Sequence, residues 1–171
     1  MKQIATIIGL WVEGLLSYDE VIAWADDRIL VSKCPENELI ELSLKGPELC
    51  SKKPSYEFPA PRIFTFLERF ALRAVWVDIE SCSDMNRFME WLIRACIGEN
   101  FELPEVALGY HVDHYAWDCD DKPMAIQHLK NEMEKLLPKC YLFVSQLESE
   151  CLPTQSKICF LPLTQSRCAD S

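Results

Sequence analysis

Glycine is scarce here, with five residues in a chain of 171. A phosphate-cradling loop needs closely spaced glycines so that backbone amides can approach the anion. Neither a P-loop nor a dinucleotide-binding turn can be assembled from these five. No G-x-S-x-G occurs, and no motif sets a histidine beside any cysteine, so nucleophilic catalysis has no signature in the sequence. Positive charge is also short: 17 Lys and Arg stand against 27 Asp and Glu, a net charge of −10. Nucleic-acid backbones and anionic membrane surfaces both call for the opposite sign, so neither is an expected partner. No apolar run approaches the ~18–20 residues that cross a bilayer. Lys2 followed by the run from Ile4 to Leu10 faintly suggests a signal peptide. Glu13, Asp19 and Glu20 follow it without a small-residue cleavage site, so the segment reads as a helix.

Cysteine is plentiful, but its pairing motifs are missing. The nine positions (Cys34, Cys50, Cys82, Cys96, Cys119, Cys140, Cys151, Cys159 and Cys168) include no C-x-x-C, which argues against a zinc ribbon and against a redox dithiol. With 49% hydrophobic and 26% charged residues, the chain has the balance of a folded globular protein. Free thiols serving as small core residues are then expected, as is a reducing, cytoplasmic setting. Cys151, Cys159 and Cys168 are expected to be exposed in a tail.

The hydrophobic spacing predicts helices. Ile4, Ile7, Ile8, Trp11 and Leu15 share one helical face. Ser17 and Glu20 form a capping box, with Leu16 and Val21 at the staple positions, so a second helix starts near Tyr18 and buries Val21, Trp24, Ala25 and Ile29. Cys34-Pro35 separates it from a short third helix carrying Leu39, Ile40 and Leu42, which Gly46-Pro47 should stop. Pro47, Pro54, Pro59 and Pro61 mark residues 47–61 as a loop. From Pro61 a helix is expected through Ile63, Phe66, Leu67, Phe70 and Ala74. The run from Ala74 to Ile79 is β-branched enough to be a helix end or a short strand, with helix favoured. Another helix restarts at Ser81–Asp84, carries Phe88, Met89, Leu92, Ile93 and Cys96, and ends at Gly98. Pro104 opens a helix through Trp117, although Val106, Leu108, Tyr110 and Val112 also alternate like a strand. Pro123 opens the last clear helix, with Ile126, Leu129, Met133, Leu136 and Leu137 inside and Pro138 as its end. Tyr141 to Leu147 fits helix or strand, and the prolines, polar residues and cysteines after Glu150 show no period.

Together these signals predict an all-α fold: a compact bundle of about six or seven helices in one domain over residues 1–147, with a flexible or loosely packed tail over 148–171.

One local stretch carries candidate chemistry. On an α-helix His111, His114 and Asp118 fall at i, i+3 and i+7, and two imidazoles with a carboxylate suit zinc or iron. The glutamate of H-E-x-x-H is absent, and the alternative is a pair of histidines packed among Tyr110, Tyr115 and Trp117. No cofactor is expected. From Asp113 to Asp121 there are four aspartates (Asp113, Asp118, Asp120 and Asp121) and no basic residue. With Tyr115 and Trp117 as aromatic anchors, these residues form a candidate docking patch for a Lys/Arg-rich protein surface. The competing explanation is capping, since Asp120 or Asp121 just ahead of Pro123 would satisfy amides at the next helix start. A second acidic group, Asp26, Asp27, Glu36, Glu38 and Glu41, reads as a solvated face. Asp78 and Glu80, two apart on a helix, do not converge as an acid–base pair.

The segment Ser17 to Arg28 (SYDEVIAWADDR), followed by Glu38 to Leu44 (ELIELSL), resembles a group of small bacterial helical proteins. In that group a helix bearing a Trp-Ala pair, here Trp24 and Ala25, precedes an ELIELSL helix. Several of its members look like immunity proteins that stand beside polymorphic or contact-dependent toxins. The resemblance covers about the first 50 residues and contains no catalytic signature. It implies a non-enzymatic protein that neutralises a basic toxin domain. A small metal-dependent enzyme using the His-x-x-His site and a structural adaptor of a bacterial complex are the alternatives.

Overall fold

The computed structural model describes residues 1–151, and all its regular structure is helical. The helices are α1 (Lys2–Val12), α2 (Tyr18–Val31), α3 (Asn37–Ser51), α4 (Phe66–Ala74), α5 (Cys82–Ala95), α6 (Pro104–Asp113) and α7 (Lys122–Cys151). A single π turn (His114–Asp118) follows α6 directly. No strand occurs among the described residues, as the helical spacing predicts. No described helix is long and apolar enough to cross a membrane.

The described residues divide into two units, the first comprising 1–64 with 145–151 and the second 65–144. In the first unit, Ile4, Ile7, Ile8 and Leu10 of α1 are buried, as are Val21, Trp24 and Ala25 of α2. The Ser17 hydroxyl accepts from the Glu20 amide, and the Glu20 carboxylate accepts from the Ser17 amide at 2.7 Å. Leu16 and Val21 are both buried beside this capping box, completing the staple. In the second unit, Phe66 and Phe70 of α4 meet Phe88 and Trp91 of α5, with Phe70 and Phe88 edge to face at 5.5 Å.

Several boundaries differ from the expected ones. Gly46 turns the chain with φ 77°, but Pro47 then suits the first turn of a new helical segment, so α3 resumes to Ser51 instead of giving way to a loop. The α4 helix starts at Phe66 and not at Pro61, because Thr65 and Glu68 form a second capping box; Ile63, ahead of it, is exposed. It ends at Ala74, and residues 75–80 are turns and irregular chain, neither helix nor strand. Pro138 lies inside α7 and does not end it. Cys140, Val144, Leu147 and Cys151 continue the buried stripe begun by Ala125, Leu129 and Met133, and that face holds the helix together past the missing amide. Residues 148–151, assigned to the tail by sequence, are therefore the last turn of α7, and Cys151 is buried. The remainder of that tail, with Cys159 and Cys168, lies outside the described residues.

The cysteines of the described residues are free thiols; Cys50, Cys96, Cys140 and Cys151 are buried, while Cys34, Cys82 and Cys119 are exposed.

Candidate functional site

Sequence singles out residues 111–121, and the geometry there is set by how α6 ends. Pro104 occupies the first turn of α6, and Glu105 follows at the positive helix terminus. Val106, Leu108, Val112 and Ala116 are buried, which is a helical face and not a strand. After Asp113 the turn widens: the Cys119 amide reaches back five residues to the His114 carbonyl at 3.0 Å, and the Asp121 amide reaches the Tyr115 carbonyl at 2.9 Å. Asp120 adopts φ 51°, a left-handed conformation that a short polar side chain tolerates. The chain then enters α7, where Asp121 accepts the Met124 amide at 3.0 Å. Capping thus occupies Asp121.

The wider turn changes which side chains meet. On an α-helix, position i+5 lies about 140° round the axis from i. A π turn, closed by i→i+5 hydrogen bonds, brings that position back over the first. His114 is accordingly flanked on both sides: its Nδ1 is 2.9 Å from Asp118 Oδ2, and its Nε2 is 3.5 Å from Cys119 Sγ. An ionised carboxylate only accepts, so Nδ1 carries the proton and Nε2 is left as an acceptor facing the thiol. All three side chains are exposed. The sequence places His114 and Asp118 on one helical face but gives no signal that Cys119 joins them, because a spacing of five reads as two different faces on an α-helix.

Of the three candidate metal ligands, His114 and Asp118 meet each other, while His111 has a different neighbour. His111 packs against His128 with ring centroids 5.8 Å apart, while His114 is engaged by Asp118 and Cys119. Tyr115 also meets the His128 ring, at 5.5 Å, and the His128 Nε2 is buried without a hydrogen-bond partner. Among the described residues no group of three or more His, Cys, Asp or Glu is placed to hold a metal ion.

The residues of the docking patch are distributed unevenly. Trp117 is exposed over 59% of its surface, and Tyr115 is half-buried. The Lys122 ammonium sits over the Trp117 ring, 4.8 Å from its centroid. Asp118 and Asp120 are exposed near it in sequence, while Asp113 is half-buried. The second acidic group is largely engaged. Glu41 pairs with Lys45 at 2.6 Å and with Lys53, Glu36 meets the N-terminal ammonium at 3.1 Å, and Asp26 accepts from Ser43. The two lysines hold the Glu41 carboxyl below its ordinary range. Asp78 accepts the Glu80 amide while Glu80 pairs with Lys130, so these carboxylates face different groups.

Comparison of the chain with protein-family models, curated proteins and solved structures finds no match.

Proposed function

We propose that the protein is a non-enzymatic binding protein whose patch at Trp117, Asp118 and Asp120 docks a basic protein surface, in the manner of an immunity protein occluding a toxin domain. The observation that carries this reading is the exposed Trp117 ring with a cation already over one face. Large exposed aromatics are over-represented among residues that dominate binding energy. A partner's Lys or Arg can take the place of Lys122 over this ring, since the indole face attracts either cation. The net charge of −10 would speed the encounter with such a partner. The likeness of Ser17–Arg28 and Glu38–Leu44 to immunity-type proteins supports a toxin as that partner.

The test is a titration of the full chain with the C-terminal domain of a secreted toxin encoded beside it. Binding is expected, weakened at least tenfold by Trp117→Ala, which corresponds to about 1.4 kcal/mol. Asp120→Asn should slow association and reduce its salt dependence. Absence of binding, or binding indifferent to both substitutions, overturns the reading.

A further inference from the structure

We propose that Cys119 is a nucleophilic thiol and a modification site, activated by His114 and Asp118 to undergo exchange with small disulfides. This goes beyond the docking role and does not depend on it. Three observations carry it. The Cys119 Sγ lies 3.5 Å from His114 Nε2, within hydrogen-bond reach for sulfur. Asp118 Oδ2 lies 2.9 Å from His114 Nδ1, the contact that fixes the tautomer with Nε2 free to take the thiol proton. The thiol is exposed just past the π turn, so a small reactant can reach it. Among the described residues the other exposed cysteines are Cys34 and Cys82, which serve as internal references.

The chemistry balances as an exchange. The Cys119 proton passes to His114 Nε2, and the thiolate attacks one sulfur of a disulfide R–S–S–R. The new Cys119–S–R bond forms as the old S–S bond breaks, and the departing R–S⁻ takes the proton back from the imidazolium. Cys119 is oxidised to a mixed disulfide, half of the reagent is reduced to R–SH, and His114 returns to its starting state.

The test uses the folded full chain and hydroxyethyl disulfide, a neutral reagent, near pH 7, with peptide mass spectrometry reading each cysteine separately. An isolated thiol is only a few per cent thiolate near that pH, which leaves room for about a tenfold gain. Cys119 is expected to react about tenfold faster than Cys34 and Cys82. His114→Gln, which removes the base but keeps a polar side chain in the turn, should bring Cys119 down to their rate and leave theirs unchanged. Asp118→Asn should give an intermediate loss. Equal rates at the three cysteines in the unsubstituted protein overturn the proposal without recourse to any variant. So does a Cys119 rate unaffected by His114→Gln in a protein with unchanged helical circular dichroism.

Discussion

The indole Nε1–H of Trp24 donates to the backbone carbonyl of Cys151 at 2.9 Å, joining positions 127 residues apart. Cys151 is the last residue of α7, where helix geometry leaves carbonyls without an intrahelical donor. The fully buried Trp24 supplies one, and Gln3 supplies another to the neighbouring Glu150 carbonyl. Trp24→Phe keeps an aromatic ring in the core but strands a buried carbonyl, at a cost of about 1–3 kcal/mol for the lost bond and more for the lost volume. Urea denaturation should therefore show a fall of at least ~1 kcal/mol in unfolding free energy. A change under about 0.5 kcal/mol would mean that the indole proton has no structural role.

The kink in α3 makes a second expectation specific. Gly46 has φ 77°, and a Cβ built there would overlap the Tyr18 ring. Gly46→Ala combines that overlap with a backbone penalty of about 1–3 kcal/mol, since φ 77° with ψ 167° is a conformation essentially confined to glycine. Gly14 has a similar φ of 70° and nothing within 4 Å of its Cβ position, so Gly14→Ala should cost the backbone penalty alone. Placing Gly46→Ala in a Tyr18→Ala background should recover most of the difference, since the ring is then gone. Equal costs for the two glycine substitutions would dispose of the steric argument.

How far the sequence speaks depends on whether a signal is local. Ser17 and Glu20 announce α2 because a capping box is complete within four residues, and the structure contains it. Thr65 and Glu68 carry the same signal, but the nearby Pro61 is the more conspicuous helix opener and draws the expected start too early. Pro138 reads as a stop because proline is intrinsically disruptive. Its effect is outweighed by buried contacts at Cys140, Val144, Leu147 and Cys151, which no local rule includes. That Cys119 joins His114 and Asp118 is hidden for a different reason. An α-helical wheel is the wrong ruler for a π turn, and nothing in residues 114–118 declares the extra width. The acidic residues of the patch are visible in the sequence, but the division of labour between Asp121, spent on a cap, and Asp120, left exposed, is decided by where α7 begins.

Cys140 sets an alkaline limit on stability. Burial, with the nearby Glu105 carboxylate adding to it, pushes this thiol up to about 11 from an ordinary 9.0. Below pH 9 the thiol is protonated in both folded and unfolded chains and contributes no pH dependence. Between about 9 and 11 the unfolded chain has given up a proton that the folded one retains. The folded state then binds more protons, and stability falls as pH rises. The urea midpoint should drop between pH 8 and pH 10, and less steeply in Cys140→Ala. Cys50, Cys96 and Cys151 are pushed in the same direction by burial, so some slope should remain. The cavity left by the alanine lowers the whole curve without tilting it, so identical slopes in the two proteins would exclude the thiol as the cause.

Pro138 offers the opposite kind of test, a substitution expected to strengthen the protein. Its side chain is exposed within α7, so it contributes no core packing of its own. Its ring nitrogen has no proton to donate to the Glu134 carbonyl, and its ring crowds that carbonyl. Alanine restores the donor and removes the crowding. The gain is set against a small loss, because the unfolded chain regains freedom that proline denied it, worth about 0.4–1 kcal/mol. With an interior proline disfavoured by about 3 kcal/mol relative to alanine, the net expectation for Pro138→Ala is a stabilisation of about 2 kcal/mol. A higher urea midpoint with unchanged m-value is the predicted result. A lower midpoint would show that proline at 138 helps α7 hold Cys140 and Val144 in their buried positions.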